Sequence, residues 1–289
     1  MKIVIAGGTG FLGTALAASL RRDAHVVTIV TRTPSAPDHV PWSDVHAFDG
    51  IDAVINLAGE SLANGRWTTS RKAAILESRL KPTRTIVNAI RASMRRPAVL
   101  LNASAVGIYG TQRSEALTEE SPVGNDFLAS VCAAWESAAL AAGPMTRVVL
   151  LRSGVVLDRD EGALPKLARP FRFFAGGPVG SGRQYLSWIH VDDWVRLVGW
   201  AIGTTAIDGP LNATAPGPVT NRELAGALAR ALRRPAAMPA PAFAIRLVLG
   251  EMADALILNG QRVLPAKAAA HGFQFRYPDL ESALRQLYG

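Results

Sequence analysis

The chain has 289 residues, 49% of them apolar and 19% charged, a globular balance that excludes disordered, collagen-like and low-complexity classes. Its longest near-apolar stretches, 195–203 and 240–250, fall short of the roughly 18 to 20 residues that cross a bilayer, and the run Ile3 to Ala6 behind Lys2 is too brief for a secretory h-region; with a single cysteine, Cys132, the expectation is a cytoplasmic protein without membrane attachment or disulfide framework. The net charge of +8 comes from 26 Arg and 5 Lys, spread mostly as pairs such as Arg21 with Arg22, Arg95 with Arg96 and Arg233 with Arg234 near predicted helix ends, with no basic tail and no aromatic ladder, which argues against nucleic acid and for a small anionic partner.

In chain order, Lys2 to Ala6 reads as a buried strand, Thr14 to Arg22 continues a helix that begins in a glycine loop, and Val26 to Thr31 is a second, β-branched strand. Only about twenty residues, including Pro34, Pro37 and Pro41, separate it from the next strand, Ala53 to Leu57, so the third unit is trimmed to a weak strand near His46 to Phe48. A long helix is predicted from about Ser70 to Met94 and a strand over Ala98 to Ala103. Phe127, Val131, Trp135 and Ala138 mark a helix over Phe127 to Ala141, and a strand follows over Arg147 to Leu157. Beyond it come the glycine-rich 176–182, a helix from Asp192, a short strand over Leu211 to Ala213, and a helix over Asn221 to Arg234 capped by Thr220. After the proline-rich 235–241 the composition shifts, and the last fifty residues read as short helices ending at Asp279 to Leu287.

This alternation predicts an α/β fold, a doubly wound parallel sheet with a smaller, mostly helical C-terminal lobe. Gly8, Gly10 and Gly13 form G-x-G-x-x-G directly after a strand and at the opening of a helix, overlapped by Gly7, Gly10 and Gly13. Glycines there allow a tight turn and close approach of a pyrophosphate to the backbone, and the helix start supplies free N–H groups. The loop 7–13, with Thr9, Phe11 and Leu12, is therefore the expected cofactor cradle. An acidic residue that would favour NAD is missing at the end of the second strand; Thr31 and Arg32 stand there, and an arginine fork suits the 2′-phosphate of NADP. Asn56, Leu57, Ala58 and Gly59 end another strand and are expected to line the cofactor.

Together these residues resemble the extended short-chain dehydrogenase/reductase superfamily, and more closely its atypical "epimerase family" branch. The resemblance covers nearly the whole chain: Gly7 to Gly13, Asn56 to Ser61 with Gly65-Arg66-Trp67, Lys72, Ser78-Arg79 and Thr83, Ser104 to Gly110, Trp135-Glu136, Arg152 to Leu157, Gly180-Ser181-Gly182 with Gln184, Ser187 to Asp193, and in the tail Leu249-Gly250-Glu251, Gly260 to Val263 and Gly272-Phe273. It implies a Rossmann domain over 1–235, with substrate-side insertions from about 158, and a C-terminal helical unit over 236–289 that closes the cleft. It also implies that the helices near 70–94 and 127–141 are those that pair superfamily dimers, so a homodimer is expected.

In the superfamily a serine or threonine polarises the substrate oxygen and a Tyr-x-x-x-Lys pair handles the proton. Ser104 matches the first role. With Glu136 as anchor, the pair falls on Leu128 and Cys132, which can do neither job. Tyr109, just past the strand that carries Ser104, is the nearest phenol and the other catalytic candidate; its alternative is a packing or substrate-shaping residue. Arg66, Arg79, Gln184 and Trp188 are the candidate substrate contacts, with a solvated helix face as the alternative for the two arginines and for Lys72. Cys132 reads as a small buried hydrophobe, and an aspartate N-cap explains His190 with Asp192 and Asp193 better than a metal site does. Two functions stay open: an NADP(H)-dependent oxidoreductase or epimerase acting on a small, anionic or nucleotide-sugar-like substrate, and a non-catalytic NADP(H)-binding sensor or scaffold.

Overall fold

The first strand, β1 (Lys2–Ala6), sends Ile3 and Ile5 to one side and Val4 and Ala6 to the other, and all four are buried. Both faces must then be covered, as in a parallel sheet wrapped by helices. The computed structural model describes residues 1–111 and 113–289. After β1 come α1 (Phe11–Arg22), β2 (Val26–Thr31), β3 (His39–Pro41), β4 (Ala53–Asn56), α2 (Thr69–Ala92), β5 (Val99–Ala105), β6 (Arg113–Leu117) and α3 (Phe127–Leu140). The second half holds β7 (Arg147–Ser153), β8 (Val155–Leu157), α4 (Leu164–Arg172), β9 (Tyr185–Leu186), β10 (Trp188–His190), α5 (Val191–Gly203), β11 (Gly209–Ala213), β12 (Val219–Thr220) and α6 (Asn221–Leu232). The C-terminal unit adds α7 (Ala242–Leu249), α8 (Glu251–Ala253), a π turn at Asp254–Leu258, β13 (Gln261–Val263), α9 (Ala266–Ala270) and α10 (Leu280–Tyr288).

Seven strands form one sheet in the order β11-β7-β5-β4-β1-β2-β3, and every neighbouring pair is parallel. On one face Ile3, Ile5, Ile55, Leu101 and Leu151 meet Leu16 and Leu20 of α1 and Trp194 and Leu197 of α5. On the other, Val4, Val54, Leu100 and Leu150 meet Ile86, Val87 and Ile90 of α2 and Ala139 of α3. Each buried Ile or Leu contributes on the order of 1.5 to 3 kcal/mol, so the period-2 pattern of the strands fixes their register. The strand order turns outward in both directions from β1 and β4, and the crevice between their carboxyl ends is where doubly wound sheets bind ligands.

Four local expectations change. His46 to Phe48 is not a strand: Phe48 is buried and its N–H donates to Ser93 Oγ at 2.7 Å, which pins the segment to the end of α2, while the edge strand forms earlier, at His39–Pro41, where a proline is tolerated. The strand over 147–157 breaks at Gly154, where the chain passes so close to Ser187 that a Cβ would stand 2.5 Å from its carbonyl oxygen, and β8 pairs with β10 instead. The cap of α5 is His190 itself, whose Nδ1 accepts from the Asp192 N–H at 3.1 Å. The tail is not purely helical, since β13 runs parallel to β6. Thr220 does cap α6, in a reciprocal capping box with Glu223.

The C-terminal unit is tied to the sheet through two buried carboxylates. Asp193 accepts the N–H groups of Arg276 and Tyr277 at 2.9 and 2.8 Å, and Glu119 accepts those of Asn212 and Lys267. Gln261 Nε2 donates to the carbonyl of Val106, just beyond the carboxyl end of β5. Met252 packs with Trp67, Ile75 and Leu128. Among the described residues no helix is long and apolar enough to cross a membrane.

Candidate functional site

A cleft of about 670 Å³ opens at the carboxyl ends of β1 and β4. Gly7, Thr9 and Gly10 form one wall, Thr31 and Arg32 the end of β2, and Leu57, Ala58 and Gly59 the loop after β4. The glycines divide by role. A Cβ on Gly7 would stand 2.8 Å from the Leu57 carbonyl carbon, and one on Gly13 would stand 2.5 Å from the Gly7 oxygen, so these two close the turn and seat α1 on the sheet. Gly8 is buried against Ile29. Gly10 is different: a Cβ there would meet only the Gly7 oxygen, at 3.7 Å. Packing does not require that glycine, but a pyrophosphate seated on the backbone does.

The start of α1 carries no side-chain cap and no acidic residue, so its first N–H groups and positive dipole end face the cleft unneutralised. Arg32 lines the cleft, exposed, with no hydrogen bond or ion pair to a described residue. These residues fit a dinucleotide with an extra phosphate: the glycine turn for the pyrophosphate, Arg32 for a 2′-phosphate. Of the other expected cofactor residues, Phe11 and Leu12 pack against the sheet core. Asn56 is fully buried; its Nδ2 donates to Thr83 Oγ1 at 2.9 Å and to Asn102 Oδ1 at 2.7 Å, and its Oδ1 accepts the Ala58 N–H at 3.2 Å. It holds the lining loop in place from behind and does not line the cleft.

Sequence reading missed an entire wall. Ala74, Glu77, Ser78, Lys81, Pro82 and Thr85 of α2, with Trp42, also line the cleft. Their spacing of three and four is one face of a helix, a periodicity the sequence carries opposite the apolar face of α2. Lys81 is a second exposed cation there, and its ammonium has no hydrogen bond or ion pair to a described residue.

At the carboxyl end of β5 the geometry departs from expectation. Ser104 is buried, and its hydroxyl donates to Glu136 Oε1 at 2.6 Å. Arg152 grips Glu136 with Nε on Oε1 at 2.9 Å and an Nη on Oε2 at 2.8 Å. Tyr109 has no exposed surface; its hydroxyl donates to Asn212 Oδ1 at 2.7 Å and accepts from Arg152 at 2.9 Å. Burial pushes its pKa up, against the pull of Arg152. The expectation of Tyr109 as a catalytic candidate is corrected to its packing alternative, because the short 3₁₀ turn Val106–Tyr109 carries the ring into a closed apolar group with Leu117, Cys132 and Val263. Ser104 keeps its place at the strand end, but its proton is fixed on a carboxylate. Leu128 and Cys132 are buried against Gly107, and burial pushes the Cys132 thiol up to about 11.

The candidate substrate contacts separate in the same way. Trp188 is corrected: it is fully buried in a core with Leu157 and Phe171, and its Nε1 donates to the Gly217 carbonyl at 2.8 Å. Arg66 donates to the carbonyls of Leu247 and Val248, closing the end of α7. Lys72 pairs with Glu251. Gln184 Nε2 bridges the carbonyls of Val179 and Ile257, while its Oε1 is buried without a partner. Arg79 is the one that lies beside the cleft wall. Its guanidinium donates to the carbonyls of Ile75 and Glu60 and lies 5.2 Å from the Trp135 ring, and its side chain rests against Gly59. Burial lowers its pKa, and Cys132 is the first group that acts the other way.

The comparisons agree with this architecture. Residues 3–210 match the NAD dependent epimerase/dehydratase family, and residues 240–287 match a domain of unknown function, DUF1731. The chain is 42% identical to the epimerase family protein YfhF of Bacillus subtilis over 299 residues, covering 99% of this chain and 98% of that one. It is 41% identical to the chloroplastic epimerase family protein SDR39U1 homologue of Arabidopsis thaliana, covering 99% and 86%. The crystal structure of human epimerase family protein SDR39U1 (isoform 2) with NADPH superimposes with a TM-score of 0.95 at 36% identity, covering 100% of this chain and 99% of that one. With a matched segment that runs through the glycine loop, the β4 loop and the buried Ser104 edge, the chain belongs to the NAD dependent epimerase/dehydratase family.

Proposed function

We propose that this chain binds NADP(H) across the β1 and β4 crevice and acts as a sensor or scaffold that responds to the bound cofactor, without the tyrosine and lysine proton relay of its superfamily. The observation that carries this reading is the Ser104 edge. The serine proton is held by Glu136, the nearest phenol is sealed behind it on Asn212 and Arg152, and Leu128 and Cys132 fill the relay positions. A serine hydroxyl bonded to a carboxylate, a sealed phenol, a leucine and a neutral thiol make a poor proton relay. The glycine turn at Gly7 to Gly10 would hold the pyrophosphate, Arg32 and Lys81 the 2′-phosphate, and Leu57 to Gly59 the floor of the site. NADP(H), when bound, supplies a nicotinamide that carries or accepts a hydride. The relative crystallised with NADPH supports this choice of cofactor.

A second reading, an NADP(H)-dependent oxidoreductase or epimerase acting on a small anionic substrate, is favoured by Arg79. A half-buried guanidinium against Gly59 and Trp135 is a suitable anchor for a substrate anion at that end of the cleft. One experiment separates the two. NADPH is titrated in by its fluorescence, and a panel of small anionic carbonyl compounds and nucleotide sugars is then added. The sensor reading expects saturable binding and a fluorescence signal that stays reduced throughout. Catalytic oxidation by any member of the panel, abolished in Arg79→Gln, replaces it with the second reading.

A further inference from the structure

Arginines that are dispersed along the sequence gather at one place that shares no residue with the dinucleotide cleft. A second cleft, about 630 Å³, opens where α4, α6 and α10 end. Arg159 reaches it from beyond β8, Arg172 closes α4, Arg230, Arg233 and Arg234 stand at the end of α6, and Arg285 lies in the last turn of α10. One carboxylate side chain lines the cleft with them, Glu281, and it pairs with Arg230. Arg234 is stacked over Phe174, 4.8 Å from the ring centre. The guanidinium groups of Arg159, Arg172, Arg233 and Arg285 have no hydrogen bond or ion pair to a described residue.

Helix ends alone do not account for six arginines. Each carboxyl-terminal macrodipole is equivalent to about half a negative charge, so even with a carboxylate at Gly289, three of them and Glu281 leave more than two of the six guanidinium charges unopposed. Asp158 and Asp160 act on Tyr288 electrostatically but do not line the cleft. Two further details point inward. The Tyr288 hydroxyl is buried in the wall with no hydrogen-bond partner. Arg233 caps α6 in the left-handed conformation, φ 53° and ψ 49°, at a position that favours glycine.

We propose that this cleft is a second ligand site that takes a small polyanion with adjacent phosphates, an inorganic or nucleoside oligophosphate. Several guanidinium forks converging on one concavity match the several oxygens of linked phosphates, each of which accepts paired N–H bonds. The volume falls in the roughly 300 to 1,000 Å³ range of small-molecule sites, whereas a duplex or a bilayer presents its charge on a surface broader than this concavity.

The test is a calorimetric titration of inorganic triphosphate, and separately of ATP, into the full chain, Arg233→Gln/Arg285→Gln, Arg233→Lys/Arg285→Lys and Arg32→Ala, each first checked for an unchanged melting temperature. The expected result is saturable binding at one site, weakened roughly tenfold or more in the double glutamine variant, less in the double lysine variant, and unchanged in Arg32→Ala. Tighter binding of ATP assigns the nucleoside form as the source; equal binding assigns the phosphate chain alone. Absence of saturable binding overturns the proposal. So does a loss confined to Arg32→Ala, which puts the phosphates in the dinucleotide cleft, and so does binding of duplex DNA or anionic vesicles that triphosphate fails to displace.

Discussion

The hydroxyl of Ser104 donates to the same oxygen of Glu136, Oε1, that accepts from Nε of Arg152. One carboxylate thus holds a serine proton and a guanidinium at once, and Arg152 extends the chain to Tyr109 and to the Glu119 carbonyl. All of these groups are buried, so the network is worth little as net stability but is costly to break.

Glu136→Ala leaves the Arg152 charge buried and unpaired, and the expected loss of folding stability is about 3 to 5 kcal/mol. Tyr109→Phe strands only neutral or shared bonds and is expected to lose about 1 to 3 kcal/mol. Urea unfolding of both variants measures the difference; an equal and small loss in both means that water reaches Arg152.

Arg32→Ala is expected to weaken NADP(H) by roughly 10- to 100-fold, because a guanidinium to phosphate bond is worth about 1.5 to 3 kcal/mol, and to leave NAD(H) affinity nearly unchanged. Lys81→Ala shifts the preference in the same direction by a smaller factor, as a point charge without a planar fork. Fluorescence titration of both cofactors gives the ratio; an undiminished preference for NADP(H) in Arg32→Ala removes that arginine from the site.

Alanine at Gly10 and at Gly13 should separate binding from folding. The first adds a Cβ in ordinary contact with the Gly7 oxygen and is expected to keep the melting temperature while weakening the cofactor. The second drives a Cβ to 2.5 Å from the Gly7 oxygen and is expected to lower the melting temperature outright. The pair is read by thermal unfolding with and without NADPH, and a Gly10→Ala protein that binds normally shows that the pyrophosphate lies elsewhere.

The Cys132 thiol gives a pH signature. Its pKa rises from 9.0 to about 11 on folding, chiefly because burial disfavours the thiolate. A neutral thiol in the folded state therefore contributes its full stability below about pH 9, and that contribution is lost as the pH climbs toward 11. The stability advantage of wild type over Cys132→Ala is expected to shrink across that interval. At neutral pH a thiol reagent should label Cys132 no faster than the protein unfolds.

The sheet was legible because its strands are apolar on both faces and its glycine turn sits between a strand and a helix. Gly7, Gly10, Arg32 and Leu57 to Gly59, singled out by these signals, line one cleft. The wall from Ala74 to Thr85 was less legible, since a polar helix face looks the same whether it meets solvent or a ligand. Tyr109 and Trp188 show the opposite limit. Each lies beside a strand end, where cleft residues belong, yet a 3₁₀ turn in one case and a bond to Gly217 in the other carry them inward. Sequence spacing records the distance from a strand end and says nothing of which way the next turn rotates. The arginine cleft was invisible for a related reason, because its members come from four separate stretches of chain.

Asp193 and Glu119 are anions in the interior whose acceptor capacity is met in large part by N–H groups of the C-terminal unit. Exchange of that unit for an unrelated one of similar size would strip Asp193 of both main-chain donors and leave it Arg196, and would leave Glu119 only Asn212; an interior carboxylate so short of donors must be neutralised or pulled back into water. The segments 3–210 and 240–287 are therefore not interchangeable modules joined by a linker. They are expected to unfold in one transition, and a graft that alters the tail is expected to hold only if it re-creates the N–H pair at 276 and 277 and the donor at 267.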